Sequence, residues 1–333
     1  LKKILIIRFS SIGDIVLTSP VIRCLKTQLP DAELHVLTMK ANRLLFEHNP
    51  YISRTHSFDG SFSTLLPALR AERYDHIVDL HKNLRSLRVK LALGVTSSSF
   101  PKLNLKKYLL VRFKLNMMPP LHIVDRYFKA VECMGVANDK QGLDCYLPSD
   151  ASAFAKVHGD FSLEKFPQGF VVVVIGAKHY TKILPVDKVI EVCRQVKLPV
   201  VLVGGREDAE RGEQIASGEG LQAINACGKY GLHESAMIVK LARAVITNDT
   251  GLMHIAAAFR KPIVSVWGNT VPDFGMYPYM PANQDDSVIF SIKNIPCRPC
   301  SKIGYQRCPK GHFDCMKKHD SSGIAATVNG FIR

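Results

Sequence analysis

Short apolar runs, each about one strand long, recur along the chain with helical periods between them, and this alternation restricts the fold more than any other feature. Strands are predicted at 3–8, 33–39, 74–80, 170–175, 199–203, 244–247 and 262–266, and helices at 15–28, 185–196, 207–217, 233–242 and 251–259. Strand–helix alternation of this kind builds a parallel sheet covered on both faces. Around 147–168 the pattern lapses into a polar, Pro-containing stretch and then restarts. The reading is therefore two α/β halves, 1–155 and 169–318, joined by a linker at 156–168. In such sheets ligands bind at the carboxyl ends of strands, and with two halves the expected site is the cleft between them.

Composition narrows the function classes. With 333 residues, 47% hydrophobic and 22% charged, the chain has the make-up of an ordinary globular protein. Its longest apolar stretches, such as 170–175 and 199–203, fall far short of the ~20 residues a membrane span needs. The opening Lys-Lys-Ile-Leu-Ile-Ile-Arg reads as a strand rather than a signal peptide, because its apolar run ends at an Arg after four residues. A cytoplasmic location is expected. Cys24, Cys133, Cys145, Cys193 and Cys227 are scattered and read as reduced, small hydrophobes.

The formal net charge is +15, and its distribution is uneven. From Lys82 to Lys114 there are nine Lys or Arg, among them Arg85 and Arg88, and no Asp or Glu. Such a block is either a solvated face or a surface that meets something anionic. Aromatic residues hardly interleave with it, and no zinc-finger or RNA-recognition signature accompanies it, so nucleic acid is not expected as a partner.

Several catalytic signatures are absent. No G-x-G-x-x-G follows the first strand, and there is no P-loop, G-x-S-x-G or H-E-x-x-H. No D-x-D pair exists to grip a diphosphate through a hard cation. What stands at the predicted strand ends is polar and glycine-bearing. After the first strand comes Phe9-Ser10-Ser11-Ile12-Gly13-Asp14, where Asp14 suits either a helix N-cap or a general base. After 170–175 come Gly176-Ala177 and then Thr181-Lys182, both able to donate to an anionic ligand. Gly204-Gly205-Arg206-Glu207 places a carboxylate suited to ribose hydroxyls after another strand. Thr247-Asn248-Asp249-Thr250-Gly251-Leu252-Met253-His254 opens a helix whose first amides suit a phosphate, with His254 one turn in.

Together these strings resemble glycosyltransferase family 9, the ADP-heptose:lipopolysaccharide heptosyltransferases and their relatives. The resemblance runs from residues 4–20 through Lys182 and 203–207 to 247–258 and Pro262–Gly268. It implies a GT-B fold, two Rossmann-like halves facing across a cleft, with a C-terminal helix at 319–333 returning to the N-terminal half. It implies an inverting transfer of heptose from ADP-heptose to a hydroxyl of the lipopolysaccharide core, at the inner face of the inner membrane, with peripheral membrane association. Carried over, Asp14 is the base, and Ser11, Gly13, Lys82, Arg85 and Arg88 lie on the acceptor side. Thr181 and Lys182 hold the diphosphate, Glu207 the ribose and Asp249 the sugar region, with Thr250, Gly251 and His254 lining the phosphate pocket. The basic block is then expected in the N-terminal half. Without a metal site, charge on the leaving diphosphate must be met by Lys182 and the helix N-terminus. Family members commonly carry Trp where this chain has Leu184 before Pro185.

Two alternatives remain in the sequence: a related enzyme using another nucleotide sugar for surface glycans, and, from other classes, a nucleotide-dependent oxidoreductase or a binder of anionic membrane or nucleic acid. No cofactor is expected. The segment Cys297-x2-Cys300-x7-Cys308-x6-Cys315, near His312 and His319, has the residue types of a structural zinc site but an irregular second half, and a reduced thiol cluster is the favoured reading.

Overall fold

In the computed structural model, residues 2–148 and 163–332 are described. The chain divides into two compact units: Leu1–Leu103 with Leu121–Tyr146, and Asn104–Pro120 with Leu147–Arg333. The predicted boundary at 155 and residues 156–162 of the predicted linker lie outside the described residues; Leu163–Lys165 form a 3-10 turn.

The first unit holds a five-stranded parallel sheet of β1 (Lys3–Ile7), β2 (Glu33–Met39), β3 (Arg54–Phe58), β4 (His76–Asp79) and β5 (Ser97–Ser99), in the order β3-β2-β1-β4-β5. The second holds a six-stranded parallel sheet of β6 (Val171–Val174), β7 (Val200–Val203), β8 (Ala223–Asn225), β9 (Ala244–Asn248), β10 (Ile263–Trp267) and β11 (Ser287–Ser291), in the order β11-β10-β9-β6-β7-β8. Both are the doubly wound pattern, with strand order reversing between β1 and β4 in one and between β6 and β9 in the other. Central strands such as β6 and β9 are buried along their whole length, which is why they read as unbroken apolar runs rather than as alternation. In the first unit Leu5, Ile7, Phe9, Leu37, Ile77 and Val89 belong to one core.

Three expectations are corrected. The predicted helix at 15–28 is two helices, Ile12–Val16 and Ser19–Gln28; Pro20 sits in the first turn of the second, where its missing N–H costs nothing. Residues 104–120 belong to the second unit, so Lys106, Lys107, Arg112 and Lys114 of the basic block do not lie in the N-terminal half. Lys114 is exposed but tied down: its Nζ donates to the carbonyls of Cys297 (3.0 Å) and Pro299 (2.7 Å). The third concerns the C-terminal helix, Ser321–Phe331. It buries Ile324, Ala325 and Val328 in the core of the second unit, and Asn329 donates to Gln195 O and accepts from Lys197 N. Its apolar stripe is thus covered by its own unit's sheet and the helix Val186–Cys193, instead of serving the first half.

Candidate active site

The first loop of the first unit is built around a carboxylate and a buried guanidinium. Ser11 is the N-cap of helix Ile12–Val16, and Asp14 stands three residues on, not at the cap. Asp14 Oδ2 accepts from Ser11 N (3.2 Å) and Ser11 Oγ (2.8 Å), while Oδ1 meets Arg8 Nη2 at 2.7 Å. Arg8, the residue just past β1, is 6% exposed and also donates to Leu80 O and to the Tyr127 hydroxyl (3.1 Å). The Asp14 carboxylate is therefore held by both oxygens on a rigid mount. Gly13, buried in the same short helix, completes the turn.

The β4 loop sits against this one. Asp79, fully buried at the end of β4, accepts from His81 N (3.0 Å), Lys82 N (2.6 Å) and Ser86 Oγ (2.7 Å), folding the chain back over β1. The His81 ring stands edge-on to Phe9 at 5.3 Å. Burial, with Arg8 nearby, pushes its pKa down to about 4, so its imidazole is neutral at pH 7. Lys82 takes a positive φ of 52° and its Nζ donates to Phe100 O at 3.1 Å. Arg85 and Arg88 are exposed on helix Leu84–Leu93, Arg88 lying over the Phe62 ring at 4.3 Å. Leu84 (84% exposed), Leu87 and Leu91 (75%) share that helix, an apolar presence among the basic side chains. Arg8 and His81 escape sequence reasoning because their partners, Leu80 and Tyr127 for the one and Phe9 for the other, are far away in the chain, while Asp79, whose partners are local, reads as an ordinary turn residue; the one usable signal is the Arg ending the first strand.

In the second unit, the loops after β6 and β9 meet where the strand order reverses. Lys182 Nζ lies 2.6 Å from Asp249 Oδ2, which also accepts from Thr270 Oγ at 2.8 Å. Asn248, buried at the end of β9, ties the two loops by donating to Val174 O and accepting from Leu184 N. Leu184 itself is a core residue. Thr250 is the N-cap of helix Gly251–Ala258, so the first amides of that helix stand directly after Asp249. His254 is buried, one turn inside.

Thr181 does not fill its expected role. It is 1% exposed, and its hydroxyl donates to Tyr305 O (3.1 Å) and accepts from Tyr305 N (2.8 Å), which commits it to fixing the loop at 305 rather than a diphosphate. Glu207 is exposed on the turn after β7, while its neighbour Asp208 is buried, bonded to Gly205 N (2.9 Å) and Arg211 (2.8 Å), with burial raising its pKa. Gly176 is required here: a Cβ on it would lie 2.0 Å from Asp208 Oδ2. A further residue the sequence reading missed is Arg298. Its half-buried guanidinium donates to the carbonyls of Trp267, Gly268, Thr270 and Ile292, clamping the β10 loop that presents Thr270 to Asp249.

Thiols of the cysteine segment lie close enough to act on one another: Cys297 and Cys315 on Cys300, and Cys308 and Cys297 on Cys315. Cys297 Sγ is 3.6 Å from His312 Nε2 and Cys300 Sγ donates to Cys297 O. Burial, with neighbouring thiols of the segment adding to it, pushes the Cys300 thiol up to about 12 and Cys315 up to about 11. Among the described residues, the group of His, Cys, Asp or Glu atoms within 4.8 Å of one another is His35, His56 and Glu72, in the first unit. No helix among the described residues is long and apolar enough to cross a membrane.

A profile of glycosyltransferase family 9 (heptosyltransferase) matches residues 63–308. The chain belongs to that family. Family 9 membership makes it a glycosyltransferase, and its two Rossmann-like units are those of the GT-B fold. It is 25% identical over 294 residues to lipopolysaccharide heptosyltransferase 2 of Escherichia coli (strain K12), covering 82% of this chain and 84% of that one. A family 9 glycosyl transferase from Veillonella parvula has the same fold, with a TM-score of 0.79 at 20% identity over 99% of this chain and 97% of that one. E. coli ADP-heptose lps heptosyltransferase II follows at a TM-score of 0.74 and 23% identity, over 99% and 98%.

Proposed function

We propose that this family 9 enzyme transfers a heptose from ADP-heptose to a hydroxyl of a lipopolysaccharide core, by a metal-independent displacement that inverts the anomeric carbon. The observation that carries the reading is the Lys182–Asp249 pair, 2.6 Å apart at the point where the second sheet's strand order reverses and directly before a helix N-terminus. That position suits a diphosphate: the ammonium meets its charge and the helix amides donate to its oxygens. Lipopolysaccharide heptosyltransferase 2 of E. coli, similar over most of its length, supports the acceptor class, and the likeness to E. coli ADP-heptose lps heptosyltransferase II supports the donor.

In the proposed step the acceptor oxygen attacks the anomeric carbon from the face opposite the diphosphate. Its proton passes to Asp14, a new C–O bond forms, and the bond to the diphosphate breaks with its electron pair leaving on ADP. Lys182 offsets the charge that builds on the departing phosphate, and Asp249, held by Thr270, aims the ammonium. Lys82, Arg85 and Arg88 supply positive charge on the acceptor side, and the exposed leucines of their helix suit a lipid-anchored acceptor at the inner face of the membrane.

The test is a thermal-shift panel with ADP, UDP, GDP, ADP-heptose and NADH, followed by a transfer assay with and without chelator. A ligand at ~100 times its Kd adds about 2.7 kcal/mol of stability. Selective stabilisation by ADP and ADP-heptose, with chelator-resistant transfer, is expected. Selective stabilisation by UDP or GDP reassigns the donor within the family, and stabilisation by NADH alone overturns the reading.

A further inference from the structure

At the opposite end of the first sheet from Asp14, where the strands begin, a second set of polar side chains converges. His35 on β2 and His56 on β3 are diagonal neighbours on one face, since His35 is opposite Arg54 and His56 opposite Leu37 in the strand register. Glu72 caps the end of helix Phe62–Ala71, and Tyr74 follows it. His35 Nδ1 and His56 Nε2 stand 3.4 Å apart, each 3.8 Å from an oxygen of Glu72, with the Tyr74 hydroxyl 3.0 and 2.9 Å from the two nitrogens. A tetrahedral ion with Zn–N bonds of ~2.0–2.1 Å holds two nitrogen ligands ~3.4 Å apart. The outer contacts fit as well. His35 Nε2 lies 2.7 Å from Glu33 Oε1, so its proton goes to that carboxylate and its Nδ1 lone pair points inward, the carboxylate–histidine arrangement that orients metal ligands.

We propose that His35 Nδ1, His56 Nε2 and the Glu72 carboxylate form a structural site for a zinc-class divalent ion, with the Tyr74 hydroxyl beside it as a fourth donor. Two nitrogens and oxygens favour a borderline transition metal over Mg²⁺ or Ca²⁺. The ion would join β2 and β3 to the end of the helix that covers them. Glu72 also pairs with Lys3 (2.9 Å) and Arg54, so the ion competes with two cations for the same carboxylate. Removing Arg54, whose side chain is 61% exposed, should therefore tighten binding rather than loosen it.

The experiment is a Co²⁺ titration of the metal-free full-length enzyme, read by visible absorption and reversed with Zn²⁺. The expected result is one equivalent of bound Co²⁺ with tetrahedral d–d bands and no sulfur charge-transfer band in the near ultraviolet. Glu72→Gln and His56→Ala should each weaken binding about tenfold or more. Arg54→Gln should tighten it a few-fold, and a Cys297→Ser/Cys300→Ser variant should bind unchanged. Urea midpoints without metal check that each variant folds; Glu72→Gln keeps shape and volume, so it decides the matter if His56→Ala does not fold. No binding by the wild type, a sulfur band lost in the cysteine variant, or binding indifferent to Glu72→Gln overturns the proposal, and leaves Tyr74 as a hydrogen-bond bridge between two histidines.

Discussion

In each unit an aspartate on a loop at the strand-order reversal, Asp14 in one and Asp249 in the other, has a basic partner, but the two pairs are made differently. Asp14 is bound to an arginine whose guanidinium is 6% exposed and fastened elsewhere to Leu80 O and Tyr127. Asp249 is bound to a lysine on a 3-10 turn, its side chain 16% exposed and, by its chemistry, a point charge on a flexible stem. The planar fork fixes a carboxylate's direction, which a general base needs. A lysine can turn from its carboxylate to an incoming phosphate, which a donor clamp needs. In the proposed reaction the same residue type thus serves orientation in one unit and charge in the other.

Mutations can break that contrast. Asp14→Asn should lower kcat by ~10³–10⁴-fold while leaving the Kd for ADP within a factor of about two; equal losses in both would make Asp14 a structural residue. Lys182→Ala should cost ~10²–10³-fold in kcat and weaken ADP as well, and Lys182→Arg should rescue poorly because its rigid fork cannot exchange partners in the same space. For the mounting arginine the readout is stability: Arg8→Gln should cost roughly 3 kcal/mol in urea unfolding, because it strands buried polar groups. His81 adds a pH dependence. Its native pKa lies near 4, below the ~6.5 of an unfolded chain, so the unfolded state binds more protons between those values. Stability is therefore full above pH 6.5 and falls as pH drops towards 4, and His81→Gln should flatten part of that slope. The smallest effect belongs to Thr270→Val, which removes one hydrogen bond from Asp249 and should raise the donor KM a few-fold, about 1 kcal/mol.

How much of this the sequence discloses follows from the range of the contacts. Strands such as β6 and β9 are written locally, as apolar runs ended by polar turns, and the two-unit α/β fold and the positions of Asp14, Lys182 and Asp249 followed from them. Edge strands β3, β5 and β11 are short, partly exposed and polar at several positions, so their sequences resemble loops. The buried partners are set by long-range closure. Arg8 meets Tyr127 119 residues on, and Arg298 reaches back about thirty residues to the β10 loop. Thr181 read as a ligand because Thr beside Lys suits an anion; nothing nearby in sequence reveals that Tyr305 claims its hydroxyl. Placement of the C-terminal helix failed for a related reason, since the stripe of Ile324, Ala325 and Val328 specifies burial but not the surface that provides it.

The segment Asn104–Pro120, counted with the second unit though it interrupts the first, bears on how the chain is made. During synthesis the first sheet is complete once β5 has left the ribosome, but the carbonyls that receive the Lys114 ammonium are 183 residues further along. At ~5–20 residues per second, that is a wait of roughly 10–40 s. For that interval the arm hangs from a finished sheet with Leu110, the residue that helix Asn104–Phe113 buries in the folded chain, left uncovered. Chaperone capture of the nascent chain should therefore peak on this arm and fade only when Cys297 and Pro299 emerge, so the last step of assembly closes backwards, from the late-made half onto an early-made arm.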